Sequence, residues 1–264
     1  MADNTPATTK QPSQGALVHE WLETQIAPQV VRALPAGYSP QHFVRAAWSV
    51  CRANQRLLAC TPTSLAAGIL NAAQIGLEFG PLGHAYLIPF KNKGRYEATL
   101  VIGYKGYVDL ARRAGQSVIG RAVYEGDDFD YSYGTGEFIR HRPEPADRGE
   151  LTYAYGIARG TDGAPPAFVV LSRGEVEKRR ARSRAANDGP WVTDYDPMAV
   201  KTAVRALVPW LRMTPELARA EAVDEADLAD LPGDMGLYTD GGPVDVDTID
   251  VEPVAGQGGE TGAA

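Results

Sequence analysis

Apolar residues recur along this chain with two periods, and the change falls near Gly76. Ahead of it the spacing is helical. Leu17, Trp21, Ile26 and Val30 mark a first helix interrupted at Pro28. Phe43, Ala47, Val50, Leu57 and Leu58 mark a second, starting after Pro40. A third has both ends written into it: Thr61 to cap, Pro62 in the first helical position and Gly76 to close, with Leu65, Ile69, Leu70 and Ala73 between. Beyond Gly76 the period shortens to two. His84–Phe90 is a short strand, and Lys91-Asn92-Lys93-Gly94 is a turn whose glycine tolerates positive φ. Arg95–Tyr104 alternates Tyr96, Ala98, Leu100 and Ile102 against Glu97, Thr99 and Val101. The two runs predict a β-hairpin.

Helical spacing returns over Lys105–Ala114, with Gly115 at its end. Further strands are predicted near 117–125, 151–159 and 167–172. The Gly-, Asp-, Tyr- and Pro-rich stretch Gly126–Gly149 reads as loop or short hairpin. Glu175–Ala185 is a charged helix, and Pro197–Leu207 and Pro215–Ala229 are amphipathic ones. Residues 1–14 and those beyond Leu231 have no period and are expected to be disordered. The pattern predicts helices, strands and a β-hairpin over a body of residues 15–230, an α+β chain. It has a helical N-terminal part and a disordered acidic tail over 231–264. No internal repeat is visible.

Charge sharpens that division. The 264 residues hold 26 Lys+Arg and 33 Asp+Glu, net −7. From Glu216 to Ala264 thirteen acidic residues stand against one basic residue, Arg219, a net of −12; the remainder holds 25 basic and 20 acidic, a net of +5. A basic body with an acidic end suits a polyanion-binding domain with a separate regulatory or docking segment. The longest apolar runs, such as Ala167–Leu171, are about five residues, far short of the ~20 that span a bilayer. The N-terminus lacks the apolar core of a secretory signal. Two cysteines, Cys51 and Cys60, make no disulfide framework. A soluble cytoplasmic protein without membrane partners is expected.

Most catalytic chemistries find no foothold. The phosphate-loop pattern GxxxxGK[ST] is absent: Gly103-Tyr104-Lys105-Gly106 has the order wrong, and Gly134-Thr135-Gly136 lacks a third glycine. The histidines His19, His42, His84 and His141 are scattered, without metal-ligand spacing. No GxSxG elbow is present. Asp127, Asp128 and Asp130 could hold Mg²⁺ for nuclease chemistry, or form a solvated turn.

The basic and aromatic residues say more. Phe90, Lys91, Lys93, Arg95 and Tyr96 share one hairpin, followed by Tyr104, Lys105 and Tyr107. On the next helix Lys105, Asp109, Arg112 and Arg113 fall on one side, with Asp109 placed to pair with Lys105 and Arg113, and Tyr107, Leu110, Ala111 and Ala114 on the other. Lys201, Arg205 and Arg212 share a side of the Pro197–Arg212 stretch. Cations supply sequence-independent phosphate contacts and aromatics supply stacking platforms. The candidate nucleic-acid contacts are therefore Phe90, Lys91, Lys93, Arg95, Tyr104, Lys105, Tyr107, Arg112, Arg113, Lys201 and Arg205. Arg173–Arg184, with six cations, is either a DNA-binding arm or a helix face partly neutralised by Glu175 and Glu177.

Three runs carry a resemblance: Asn71–Leu77; Gly80-Pro81-Leu82-Gly83-His84-Ala85-Tyr86-Leu87-Ile88-Pro89-Phe90; and Ile102-Gly103-Tyr104-Lys105-Gly106-Tyr107-Val108-Asp109-Leu110-Ala111-Arg112-Arg113-Ala114-Gly115. Together with Trp191 and Asp196-Pro197-Met198-Ala199-Val200-Lys201-Thr202-Ala203-Val204-Arg205, they resemble the RecT family of phage single-strand annealing proteins over roughly residues 15–230. The resemblance implies an ATP-independent recombinase that binds single-stranded DNA, anneals complements and promotes strand exchange. It also implies a Rad52-type annealing core, a small antiparallel sheet with its β-hairpin packed on helices, and self-assembly into rings or filaments. The implied partners are single-stranded DNA, the annealed duplex, a 5′→3′ exonuclease and the host single-strand binding protein. No cofactor is required, with room for Mg²⁺ as a modulator of DNA binding. The rivals are a Mg²⁺ nuclease built on Asp127, Asp128 and Asp130, and an adaptor that recruits other proteins through the acidic tail.

Overall fold

Caps and prolines decide where the helices of this chain begin and end. The computed structural model describes residues 13–230 apart from 93, 162, 164, 183–185, 188 and 189. Ser13 Oγ accepts the Ala16 N–H and opens α1 (Gln14–Trp21), so residues 13 and 14 belong to the folded body. A π turn (Leu22–Ile26) joins α1 to α2 (Ala27–Ala33). The interruption expected at Pro28 is thus a widened turn. Pro28 has no N–H to give and its ring would crowd the carbonyl of Thr24. The π turn, with the Ala27 N–H bonded to the Leu22 carbonyl, keeps the chain helical around it.

Ser39 caps α3 (Pro40–Ala53), which stops at Asn54, extended at φ −121 and ψ 103. The Asn54 side chain then caps a separate short helix, α4 (Gln55–Leu58), so Leu57 and Leu58 belong to α4 and not to the second helix. α5 (Pro62–Ile75) has the ends expected of it, Thr61 accepting the Ser64 N–H and Gly76 closing at φ 71.

β1 (Ala85–Asn92) and β2 (Arg95–Ile102) form the hairpin, with Lys91 and Asn92 in the strand rather than in the turn. Ala85, Leu87, Ala98, Leu100 and Ile102 enter the main core, where Leu87 lies over Gly68 of α5. Tyr86 and Phe90 fall on the opposite face of the pleat. α6 (Tyr104–Arg113) follows at once, ending near Gly115 at φ 77. Two glycines let α6 start so close to the strand. A Cβ on Gly103 would stand 2.1 Å from the Gly83 carbonyl oxygen, and one on Gly106 2.4 Å from that of His84. Backbone cannot yield as a flexible side chain can. Gly103→Ala is expected to cost about 1–3 kcal/mol, read from the denaturant midpoint, while Gly136→Ala, with open space around it, leaves the midpoint unchanged.

The remaining strands are β3 (Gln116–Tyr124), β4 (Asp128–Ser132), β5 (Phe138–Arg142), β6 (Leu151–Gly160) and β7 (Ala167–Ser172). β3, β6 and β7 make an antiparallel sheet in the order β3-β6-β7, and β4 and β5 pair as a hairpin within the stretch read as loop or short hairpin. α7 (Arg173–Arg180), opened by a Ser172–Glu175 capping box, ends five residues before the expected Ala185. There follow α8 (Pro190–Thr193), α9 (Tyr195–Leu207), a 3₁₀ turn (Val208–Trp210) and α10 (Pro215–Asp230).

The sheet is covered on both faces. α9 lies across one, at Gly120 and Gly156; a Cβ on Gly120 would come within 2.6 Å of Val200 and 2.7 Å of Val204. The β4–β5 hairpin folds over the other. Phe129 stacks on Tyr155 at 5.8 Å and Tyr133 on Phe168 at 5.2 Å. The α+β class and its small antiparallel sheets are as expected. Among the described residues no helix is long and apolar enough to cross a membrane. The disorder expected of residues 1–12 and of the acidic tail 231–264 lies outside the described residues.

Candidate nucleic-acid interface

Register places the hairpin cations at its tip. Lys91 stands opposite Tyr96, and Arg95 opposite Asn92, whose side-chain amide donates to Glu97 at 3.0 Å. Lys91 and Arg95 are exposed and Phe90, across from Glu97, is half-buried. Lys93 lies outside the described residues. Eight residues of β2 separate this tip from α6, about 25 Å of strand. At the far end Tyr104 and Lys105 are half-buried on the first turn of α6, and Arg112 is exposed on its last turn. Lys91, Arg95, Lys105 and Arg112 thus sample both ends of the hairpin-and-helix unit.

Three candidate contacts have other work. Tyr107 is only 2% exposed, and its hydroxyl approaches the Ala220 carbonyl of α10 at 3.5 Å. A ring enclosed in this way offers no face to a base. Its helical position had already put it with Leu110 and Ala111. Arg205 reaches the same ring from α9, its guanidinium carbon 5.8 Å from the ring centre. Loss of water around Arg205 holds its pKa below the ordinary guanidinium value. Tyr107 and Arg205 therefore join α6 to α9 as a cation–π pair instead of facing solvent. Arg113 closes α5: it donates to the carbonyls of Ile75 (3.3 Å) and Gly76 (2.9 Å), pairs with Asp109 and lies 5.4 Å from the Tyr38 ring centre. Helix-terminal carbonyls need such donors. Lys201 is half-buried on α9.

The three aspartates do not converge. The Asp127 side chain is fully enclosed. Its Oδ1 accepts from Arg148 Nε (2.8 Å) and the Glu144 N–H (3.0 Å), and its Oδ2 accepts from the Arg148 guanidinium (2.5 Å), His141 Nε2 (3.0 Å) and the Tyr124 N–H (2.9 Å). Five donors, with Arg148 first among them, hold the carboxyl far below the usual carboxylate range. No oxygen of Asp127 is left to ligate a cation. Asp128 and Asp130 are exposed on β4 opposite Arg142 and Arg140. The nuclease reading loses Asp127, whose carboxylate the fold uses otherwise.

The arginine-rich run is partly neutralised. Arg173 pairs with Glu150, and Arg180 pairs with Glu177 and donates to the Ala186 carbonyl at 2.6 Å. Lys178, Arg179 and Arg182 are exposed, and Arg184 lies outside the described residues. Sequence reasoning passed over two exposed cations, Arg121 and Arg159, which stand opposite Tyr155 and Ser117 on the sheet face turned away from α9. Alternation along β3 and β6 was the signal that could have paired them.

Comparison with known proteins places most of this body in one family. The family model described as RecT family matches residues 41–234. Protein RecT of Escherichia coli (strain K12) is 39% identical over 219 residues, covering 80% of this chain and 81% of that protein. The uncharacterized protein YqaK of Bacillus subtilis (strain 168) is 26% identical over 216 residues, 78% of this chain and 72% of its own. The matched span contains α5, the hairpin, α6 and α9, the elements that carry the three sequence runs and the Asp196–Arg205 signature, and on that span the chain belongs to the RecT family.

Proposed function

We propose that this chain binds single-stranded DNA and anneals it to a complementary strand without hydrolysing a nucleotide. The observation that carries the reading is the RecT-family match over residues 41–234, which places the chain among recombination and annealing proteins. The surface chemistry supports it. Lys91, Arg95 and Arg112 are exposed cations that suit phosphate contacts, Lys105 and Lys201 are half-buried ones, and Phe90 and Tyr104 are half-buried aromatics. An annealing protein has to hold a strand by its backbone and leave its base edges to the complement. Cations also screen repulsion between the two strands as they meet. Pairing and stacking release free energy, so neither nucleotide fuel nor a metal cofactor is called for; Mg²⁺ acts as a modulator of DNA binding. Self-assembly along the strand, a 5′→3′ exonuclease and the host single-strand binding protein complete the proposal, with the cytoplasm as its setting.

The test is annealing of two complementary oligonucleotides, one labelled, with no nucleotide present. The protein is expected to accelerate duplex formation well above the spontaneous rate. No acceleration, or acceleration only with ATP turnover, overturns the reading.

A further inference from the structure

Trp210 is 68% exposed, although tryptophan is among the side chains most buried on average. The residues around it are not loose. Val208 and Leu211, on either side, are 3% and 7% exposed and belong to the main core. Pro209 occupies the first turn of the 3₁₀ helix, and the Leu211 N–H bonds to the Val208 carbonyl at 3.0 Å. The next residue is pinned as well: the Arg212 N–H donates to Gln116 Oε1 at 2.6 Å. A fixed turn therefore holds an indole out in water.

That same hydrogen bond says what surrounds it. Gln116 opens β3, four residues after the exposed Arg112 on the last turn of α6. Arg212 is itself exposed. Arg212, two residues on from the ring, and Arg112, four residues before the Gln116 that holds Arg212, are thus the exposed arginines tied to this turn. Asp109, the carboxylate on α6, is engaged by Arg113.

We infer that Trp210 is a base-stacking residue for single-stranded nucleic acid, with Arg112 and Arg212 as the phosphate-facing rim. The inference rests on the proposed DNA binding and extends it to Trp210, which the sequence did not single out as a DNA contact, beside Arg112, which it did. Every base has a π-face, so stacking there is sequence-tolerant. An indole on a fixed turn has only two side-chain torsions to settle when a base stacks on it.

The test measures binding of a labelled oligothymidylate to the full chain and its Trp210→Ala and Trp210→Phe variants over a range of salt. Trp210→Ala is expected to weaken binding by roughly 5- to 100-fold, the range set by base–aromatic stacking, while the slope of log K against log salt stays that of the parent. Trp210→Phe is expected to restore most of the affinity. The parent's tryptophan fluorescence should fall on adding the oligonucleotide, and most of that change should vanish in Trp210→Phe. If the parent binds and Trp210→Ala binds equally well, the inference is overturned and the annealing proposal stands. Equal affinity with a lower mass by light scattering overturns it in favour of a contact between copies of the chain. If the parent itself does not bind, the annealing proposal falls first and takes this inference with it.

Discussion

Asp127→Ala is expected to destabilise the protein by about 3–5 kcal/mol, the range for removing one partner of a buried ion pair. Asp127 is the common acceptor for Arg148, His141 and two backbone N–H groups, and its side chain is wholly enclosed. Without it a positive guanidinium and an imidazole, whose own side chain is 6% exposed, lose their counterpart together. The consequence reaches beyond the node. Arg148 lies 4.2 Å from the Tyr124 ring centre, Tyr124 donates to Asp196 at 2.6 Å, and His141 meets the Tyr155 hydroxyl at 3.3 Å. These contacts tie β5 and the segment after it to β6 and to the start of α9. Losing them loosens the hairpin whose Phe129 covers Tyr155. Asp128→Ala, one residue along and exposed, should stay within about 0.5 kcal/mol of the parent. Acid supplies a second readout. The folded carboxyl titrates well below its ordinary value of 3.8. Its stabilising contribution is therefore complete above about pH 4 and is lost as pH falls toward the folded value. The parent should lose stability through that window faster than Asp127→Ala does. Denaturant curves at neutral pH and below pH 4 check both expectations, and equal stability of Asp127→Ala and Asp128→Ala would sink them.

Local rules carried much of the fold. Thr61, Pro62 and Gly76 bound α5 as their types dictate, and the alternation from Ala85 to Ile102 gave the hairpin. The misreadings came where a residue could satisfy two rules. Asn54 reads as a tolerable helix residue, but it ends one helix and caps the next. Pro28 reads as a break, and the chain answers with a π turn. For the interface, helical period separates a wet face from a dry one but does not name what lies opposite. Arg205 sits on the side assigned to cations, and its partner ring is Tyr107, 98 positions earlier in the chain. Arg113 shares a side with Lys105 by helical spacing, yet the end of α5 stands within its reach. Trp210 carries no signal of its own in the periodicity. Its exposure follows from Val208 and Leu211 taking the buried positions on either side, which no window of sequence displays.

Replacing Lys91, Arg95, Lys105 and Arg112 together with alanine is expected to cost single-stranded DNA binding roughly 600-fold at 0.1 M salt. Each phosphate contact on a single strand contributes about 0.7 to the slope of log K against log salt, so four lost contacts flatten it by about 2.8. Carried from a 1 M reference to 0.1 M, that slope is about 2.8 decades of affinity. Three of the four side chains are exposed and the fourth is half-buried, so the fold should persist. Arg113→Ala and Arg205→Ala are expected to divide from this set. Arg113 caps α5 and Arg205 lies on Tyr107, so each single variant should lower the denaturant midpoint and leave the salt slope where it was. The measurement is a binding titration of an oligothymidylate at four or more salt concentrations, paired with a denaturation curve for every variant. A quadruple variant that folds and keeps the parent's slope would remove these residues from the interface. A full-size drop in slope from Arg205→Ala alone, with stability intact, would return that residue to the DNA and undo its assignment to the α6–α9 contact.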